Sequence, residues 1–304
     1  MTKKSIALYL TSIGLLLVIA TGWYIYALHA ARQSEPAPVS FDGLRAYTDV
    51  QTQVAFGPRI PGSDGHAQVI AWIRTELQFA GWQVEIQESE VLRHLIQNIV
   101  AKRNADAPQV IIGAHYDSRI YADEDSNPVN TNKPVPAAND GASGVAILLE
   151  LARTLPKETV NVWLVFFDAE DNWNIEGWDG ELGSREFVKS NIIEPRAVVI
   201  VDMLGDADLN IYKERNSNPE LTDEIWATAK SLGLEKNFIA DYKYSMTDDH
   251  TPFLQAGIPA VDIIDFDYPY WHTTQDTPDK VSAASLEAVG KTIWTWITQQ
   301  SLQN

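Results

Sequence analysis

The amino-acid sequence predicts an α/β domain with a single open, mostly parallel, twisted sheet and helices on both faces. Short apolar runs that end in polar residues recur along the chain, and such runs are typical of buried parallel strands. Segments whose apolar residues repeat at helical spacing lie between these runs. Alternation of strands and helices is typical of a sheet covered on both faces.

The predicted elements begin with a helix over residues 65–81, where Val69, Ile73 and Leu77 recur at helical spacing. Short apolar runs predict the strands, which cover residues 82–88, 98–103, 108–115, 161–170, 197–204 and 260–265. Further helical patterns cover residues 141–155, 183–190, 219–233 and 282–300. Strand and helix therefore alternate through most of the chain.

Two long polar insertions, residues 118–138 and 172–182, interrupt this alternation. Each follows a cluster of acidic or histidine residues, and loops beside a site usually shape it. The second insertion contains Trp173 and Trp178, which are large apolar groups for a solvated loop. We expect both insertions to shape the site and both tryptophans to be candidates for substrate contact, with the choice between Trp173 and Trp178 left open; the alternative is ordinary surface loops.

Composition limits the possible functions. The chain has 304 residues, 45% of them hydrophobic, which is enough for a substantial core. Its net charge of −18 disfavours nucleic acid as a partner, because phosphates are repelled. We interpret the acidic surface as a means of solubility, with attraction of cationic substrates as the alternative. Cysteine is absent from the sequence, so disulfides are excluded and metal ligands must be Asp, Glu or His.

The N-terminal segment predicts a membrane anchor. Residues 6–28 are uncharged and mostly apolar, which is long enough for a helix to cross a bilayer. Lys3 and Lys4 precede this run and favour a cytoplasmic N-terminus with an exported body. We therefore predict a single-pass signal anchor (1–32), a linker (33–40) and an extracytoplasmic catalytic domain (41–304). The alternative is a cleaved signal peptide and a secreted protein.

Acidic and histidine residues form clusters, most of them at the ends of apolar runs. The clusters are His115 with Asp117, Asp140, Glu170 with Asp171, Asp202, Asp249 with His250, and His272. Because an open α/β sheet gathers ligand-binding residues at the carboxyl ends of its strands, these clusters are expected to converge. Two carboxylates and one histidine beside an unligated glutamate would suit a catalytic zinc that acts on a carbonyl group.

Six sequence motifs occur in order along the chain: FGPRIPGSDGH, GAHYDSR, AANDGASGVAILLELAR, FFDAED, DDHTPFLQAGIP and WHTTQDT. Together they resemble the motifs of the zinc aminopeptidase superfamily, metallopeptidase family 28. They are most similar to the glutaminyl cyclase branch, especially its bacterial members, in which a Trp precedes the metal-binding His and an ED pair replaces EE. The resemblance extends from about residue 56 to the C-terminus.

The resemblance implies a role for each matching residue. Asp140, Asp171 and His272 match the zinc ligands of the cyclases. In the aminopeptidases, the positions of His115 and Asp202 bind a second zinc that the Asp140 equivalent bridges. The resemblance thus leaves the metal count open, and we expect one zinc per chain, with two as the alternative.

The resemblance also implies catalytic and substrate-binding residues. Glu170 matches the general acid and base of the cyclases, and Asp202 and Asp249 match the acidic residues that hydrogen-bond with it. Trp271 matches an aromatic wall of the substrate pocket. Asp117 is expected to orient His115 or a nearby loop rather than to bind metal, since carboxylates outside the ligand shell commonly hold ligating histidines.

Three functions follow as hypotheses. The first is a glutaminyl-peptide cyclotransferase, an aminoacyltransferase that converts the N-terminal glutamine of peptides or proteins to pyroglutamate and releases ammonia. The second is a di-zinc aminopeptidase. The third is a catalytically idle, membrane-tethered binding module. The presence of Glu170 together with every candidate ligand argues against the third.

Overall fold

The computed structural model describes residues 40–104 and 106–300. The predicted anchor and nearly all of the linker lie outside the described residues, so membrane attachment and the domain boundaries stay predictions. Within residues 40–104 and 106–300, no helix combines the length and the apolar content needed to cross a bilayer.

Eight strands form two sheets within the residues that the structure describes. They are β1 (Gln83–Val91), β2 (His94–Lys102), β3 (Val110–His115), β4 (Val162–Phe167), β5 (Ala197–Asp202), β6 (Ile211–Lys213), β7 (Phe238–Tyr242) and β8 (Ala260–Ile264). The main sheet has the order β1-β2-β4-β3-β5-β8. Strands β4, β3, β5 and β8 are parallel, whereas β2 pairs antiparallel with both β1 and β4. The predicted mostly parallel sheet is confirmed, with an antiparallel side that makes it mixed.

Seven α-helices accompany the strands in the described part of the chain. They are α1 (Gly43–Ala55), α2 (Asp64–Phe79), α3 (Ala142–Thr154), α4 (Leu182–Ser190), α5 (Pro219–Ser231), α6 (Thr251–Gln255) and α7 (Ala283–Gln300). The helices predicted for residues 65–300 are all present, with small differences at their ends. The short parallel pair β6 and β7 forms a second sheet, which was not predicted from the sequence.

Helix α1 was also not predicted, and its buried face explains why. That face carries polar residues among its apolar ones: Asp49 forms an ion pair with Arg153 at 2.5 Å, and the Gln53 side chain donates a hydrogen bond to the Ala142 carbonyl at 3.0 Å. Polar groups can be buried when they are paired in this way. They interrupt the apolar repeat by which an amphipathic helix is recognised.

Helices cover both faces of the main sheet, as predicted. In β3, Ile112 and its neighbours two residues away pack in the large core that contains residues of α1, α2, α3, α5 and α7. Ile111 points to the opposite face, where it belongs to a smaller core with Phe187 of α4 and Phe253 of α6. Because side chains alternate along a strand, an apolar run such as β3 supplies both cores. The carboxyl ends of β3, β4, β5 and β8 then share one edge of the sheet.

Candidate metal centre and substrate cavity

The carboxyl edge of the sheet gathers the residues of the predicted clusters. His115 ends β3, Asp202 ends β5, and Glu170 and Asp171 follow β4. Asp140 is brought to the same place by the turn before α3, where Gly141 has φ of 95°. A side chain at Gly141 would lie 2.9 Å from both the Asp117 carbonyl oxygen and the His115 ring, so only glycine fits without displacing them.

Asp140, Asp171 and His272 form one group of possible metal ligands. One ligand atom from each residue lies within 4.8 Å of the others. His272 Nε2 is 2.8 Å from Asp171 Oδ1 and 3.6 Å from Asp140 Oδ2. The buried Oδ2 atoms of Asp140 and Asp171 have no hydrogen-bond partner among the described residues. A buried carboxylate oxygen without a partner is unfavourable, and a bound cation would satisfy both oxygens.

His115, Asp140 and Asp202 form a second group. His115 Nε2 lies 3.2 Å from an oxygen of Asp140 and 3.2 Å from an oxygen of Asp202. Burial alone would lower the pKa of His115, but Asp202, Asp117 and Asp140 together raise it well above the usual range. The negative charges that favour the protonated form of His115 would also attract a metal cation. Asp140 belongs to both groups, so the ligands can accommodate one ion or two.

Asp117 connects His115 to the loop that carries Glu170. Its Oδ1 lies 3.4 Å from His115 Nδ1 and accepts the backbone N–H of Glu170 at 3.1 Å, while its Oδ2 accepts that of Asp171 at 3.4 Å. Asp117 therefore contacts His115 through the ring nitrogen that faces away from the other ligands. This geometry agrees with the expectation that it orients these residues instead of binding metal.

Glu170 is the candidate acid and base. Its side chain lines the cavity beside the ligands, and its pKa is raised well above the usual range. Burial is the largest cause; His115 opposes the shift, and the negative charges of Asp248, Asp171 and Asp249 add to it. A carboxyl group with a raised pKa can both accept and return a proton near neutral pH.

The structure corrects the predicted acidic partners of Glu170. Asp202 and Asp248 line the cavity, but Asp249 does not. Asp249 is 1% exposed, and its pKa is raised well above the usual range by burial and by Asp248. The pKa of Asp248 is raised to about 6 by burial and by Asp202. In the DDH motif, the first aspartate faces the site and the second faces the protein interior.

The cavity beside the ligands has a volume of about 420 Å³. Trp271 and Trp173 line it, as predicted. Trp271 stacks on His272 with ring centroids 3.7 Å apart and packs edge-on against Phe266. Trp178 does not line the cavity, which decides between the two tryptophans of the second insertion. Its ring stacks on His94 at 3.5 Å and packs on an apolar cluster under the loop, which provides the burial that its size requires.

Arg119 and Asp123 also line the cavity, and no role was predicted for either residue from the sequence. Arg119 forms a two-point ion pair with Asp123, with distances of 2.7 and 2.5 Å, and donates to the backbone carbonyl of Asp171 at 3.0 Å. Asp123 Oδ1 lies 3.8 Å from His272 Nδ1. Arg119 belongs to the HYDSR motif, and its place directly after a ligand cluster was the signal that could have identified it.

Taken together, these residues define a metal-dependent enzyme that acts on a carbonyl or amide group: two carboxylates and a histidine lie beside a carboxyl group of raised pKa in one cavity. The sequence profile of peptidase family M28 matches residues 98–297. The chain belongs to this family.

Proteins similar to this chain include glutaminyl cyclases and a zinc-dependent exopeptidase. Glutaminyl-peptide cyclotransferase from the snake Boiga irregularis is 26% identical, with 79% of this chain and 77% of the relative aligned. The crystal structure of Porphyromonas gingivalis glutaminyl cyclase is 33% identical with a TM-score of 0.81, covering 87% of this chain and 100% of that one. A zinc-dependent exopeptidase from Parabacteroides distasonis is 29% identical with a TM-score of 0.81, covering 86% and 99%.

Proposed function

We propose that this protein is a glutaminyl-peptide cyclotransferase, which closes the N-terminal glutamine of a peptide into pyroglutamate and releases ammonia. The observation that carries the proposal is the position of Glu170, whose raised pKa suits proton transfer, in the same cavity as the ligand group and Trp271. The names of the snake relative and of the Porphyromonas gingivalis structure support the same activity.

Asp140, Asp171 and His272 would hold one zinc ion. Oxygen and imidazole ligands of this kind suit zinc, and a catalytic zinc typically has three protein ligands and an open position. Bound there, zinc supplies a Lewis acid that polarises the γ-carboxamide oxygen of the glutamine. In the one-zinc form, Asp202 remains available to the carboxyl network around Glu170, whose pKa depends on its charged neighbours.

Glu170 carries the proton through the reaction. The substrate's own α-amine attacks the γ-carboxamide carbon and forms the new C–N bond of the five-membered lactam. Glu170 accepts the proton that this amine loses and passes it to the amide nitrogen, which leaves as ammonia when its C–N bond breaks. Both steps require a group whose pKa lies near the working pH.

The cavity walls favour the folded substrate. Trp271, Phe266 and Trp173 provide apolar surface beside the ligands. Nucleophile and electrophile belong to one molecule, so the enzyme mainly has to hold the glutamine side chain curled back on its amine. The stacking of Trp271 on His272 sets this wall directly against the ligand group.

The alternative is a di-zinc aminopeptidase, favoured by the second ligand group, His115, Asp140 and Asp202. Ammonia release from Gln-peptides, compared with amino acid release from Leu-peptides, distinguishes the two. The cyclase predicts ammonia and pyroglutamyl peptide with no free leucine. Release of free amino acid from Leu-peptides, without ammonia from Gln-peptides, would establish the aminopeptidase. If neither product forms, the idle binding module is the remaining hypothesis.

The membrane anchor is a further part of the proposal. Residues 6–28 would tie the catalytic domain to the membrane with its body outside the cytoplasm, supported by the length of the apolar run and by the lysines before it. In that position the enzyme would meet exported peptides and proteins that begin with glutamine.

A further inference from the structure

The opening of the cavity is formed by both polar insertions. Residues 118–138 contribute Asp123 and Glu124 to its lining, and residues 172–182 contribute Trp173 and Asn174. Asp123 and Glu124 are also exposed to solvent. Side chains that line a cavity and face solvent lie at its opening, where the part of a peptide that follows its N-terminal residue would emerge.

Most of the charged side chains that line the cavity already have a proposed role or an ion-pair partner. Its carboxylates outnumber its cationic side chains: they are Asp123, Glu124, Asp140, Glu170, Asp171, Asp202 and Asp248, against Arg119 and His272. Five of these carboxylates belong to the site described above: Glu170 itself, its neighbour Asp248, and the candidate ligands Asp140, Asp171 and Asp202. Asp123 is neutralised by the two-point ion pair with Arg119. Glu124 is the carboxylate that remains.

The backbone of Glu124 is held in place on both sides. Before it, Asp123 is fixed by Arg119. After it, buried Asp125 accepts the backbone N–H of Thr274 at 3.0 Å and the Thr274 hydroxyl at 2.5 Å. The backbone N–H of Glu124 itself donates to the carbonyl oxygen of His272 at 3.3 Å. The three consecutive acidic residues thus divide into two that anchor the loop and one whose side chain is left at the opening.

The Glu124 carboxylate has no ion-pair or hydrogen-bond partner among the residues that the structure describes. We propose that Glu124 determines substrate specificity: it selects peptides in which the N-terminal glutamine is followed by a cationic residue, lysine or arginine, over peptides in which an acidic residue follows. This inference rests on the proposed cyclotransferase activity and names the class of substrate that the site favours.

The attraction acts on binding more than on chemistry. Glu124 would contact the residue after the glutamine in the ground state and in the transition state alike, so its effect should appear in KM and not in kcat. Exposed pairs of opposite charge are weak and are screened by salt. We therefore expect a preference of roughly two- to fivefold for each change of charge at low ionic strength.

The experiment uses three tripeptide amides that differ only in their second residue, Gln-Lys-Ala, Gln-Ala-Ala and Gln-Glu-Ala. We expect kcat/KM of the wild-type protein to fall in that order in low salt. Lys and Glu differ by two charges, so Glu124→Gln should lower the Lys-to-Glu ratio by roughly four- to 25-fold. Glu124→Lys should reverse the order, and high salt should reduce the ratio of the wild type.

Glu158→Gln is the matched control. Glu158 is also exposed, but it precedes β4, at the end of the sheet opposite the cavity, so its removal changes net charge equally without affecting the opening. A wild-type ratio near one, or a ratio that Glu124→Gln changes no more than Glu158→Gln does, would overturn the specificity proposal while cyclisation itself continues. Failure of all three peptides to cyclise would instead remove the proposed function, and the inference with it.

Discussion

The substitution Glu170→Gln tests the centre of the proposed mechanism. The glutamate and glutamine side chains have nearly the same shape, but the amide of glutamine cannot accept the proton that the attacking amine must lose. We expect turnover to fall by roughly 10²–10⁴, the usual contribution of a positioned acid or base. This corresponds to about 3–5 kcal/mol in the activation barrier.

The structure indicates that the fold and the metal site should survive this substitution. Burial and nearby carboxylates disfavour the charged form of Glu170 and raise its pKa, so a neutral amide suits the same surroundings. Asp140, Asp171 and His272 remain unchanged as ligands. Asp171→Asn is the contrasting variant, because it replaces a ligand carboxylate with a neutral amide and should lower zinc content as well as rate.

The pH profile adds a second measurement. Glu170 must be deprotonated to accept the proton of the amine, so kcat/KM of the wild-type protein should rise as pH increases through its raised pKa and fall below it. This rise should be absent from Glu170→Gln. The assays are ammonia release across pH, zinc content by elemental analysis and thermal melting. A near wild-type rate in Glu170→Gln with zinc still bound would refute the mechanism.

The remaining predictions concern other parts of the molecule. Asp248→Asn should lower kcat because this carboxyl group lines the cavity, whereas Asp249→Asn should lower it less because the Asp249 side chain does not line the cavity; equal losses would contradict the assignment. Arg153→Met should lower the free energy of unfolding by about 2–3 kcal/mol in urea titrations, since it leaves the buried carboxylate of Asp49 without its cation, while the exposed Lys291→Met should cost under about 1 kcal/mol. Metal analysis of protein purified without chelator should give one zinc per chain, and chelation should lower both activity and melting temperature; two tightly held ions, with activity lost when the second leaves, would favour the aminopeptidase. Fractionation and protease access to intact cells should find the protein in the membrane with its body outside, unless residues 6–28 are removed.

The corrected residues show where sequence reasoning reaches its limit. The DDH motif predicts that two adjacent aspartates lie near the site, but it does not indicate which of them lines the cavity. In the structure, Asp248 lines the cavity and Asp249 does not. The same holds for Trp173 and Trp178, which share one polar insertion and differ in what surrounds them. The local sequence pattern does not determine where a side chain in an irregular loop points, because contacts with distant segments of the chain determine that direction.

The sequence by itself determined the strands of the main sheet, most of the helices and most of the residues that meet at the carboxyl edge. These follow from apolar periodicity and from polar residues at strand ends, which are local properties. Only the tertiary structure decided that Asp123 pairs with Arg119, that Glu124 lies at the cavity opening, and that the polar face of α1 is buried. The physical reason is that each of these features depends on the path of the folded backbone and on contacts between distant segments. The distances between those segments are fixed only in the folded chain.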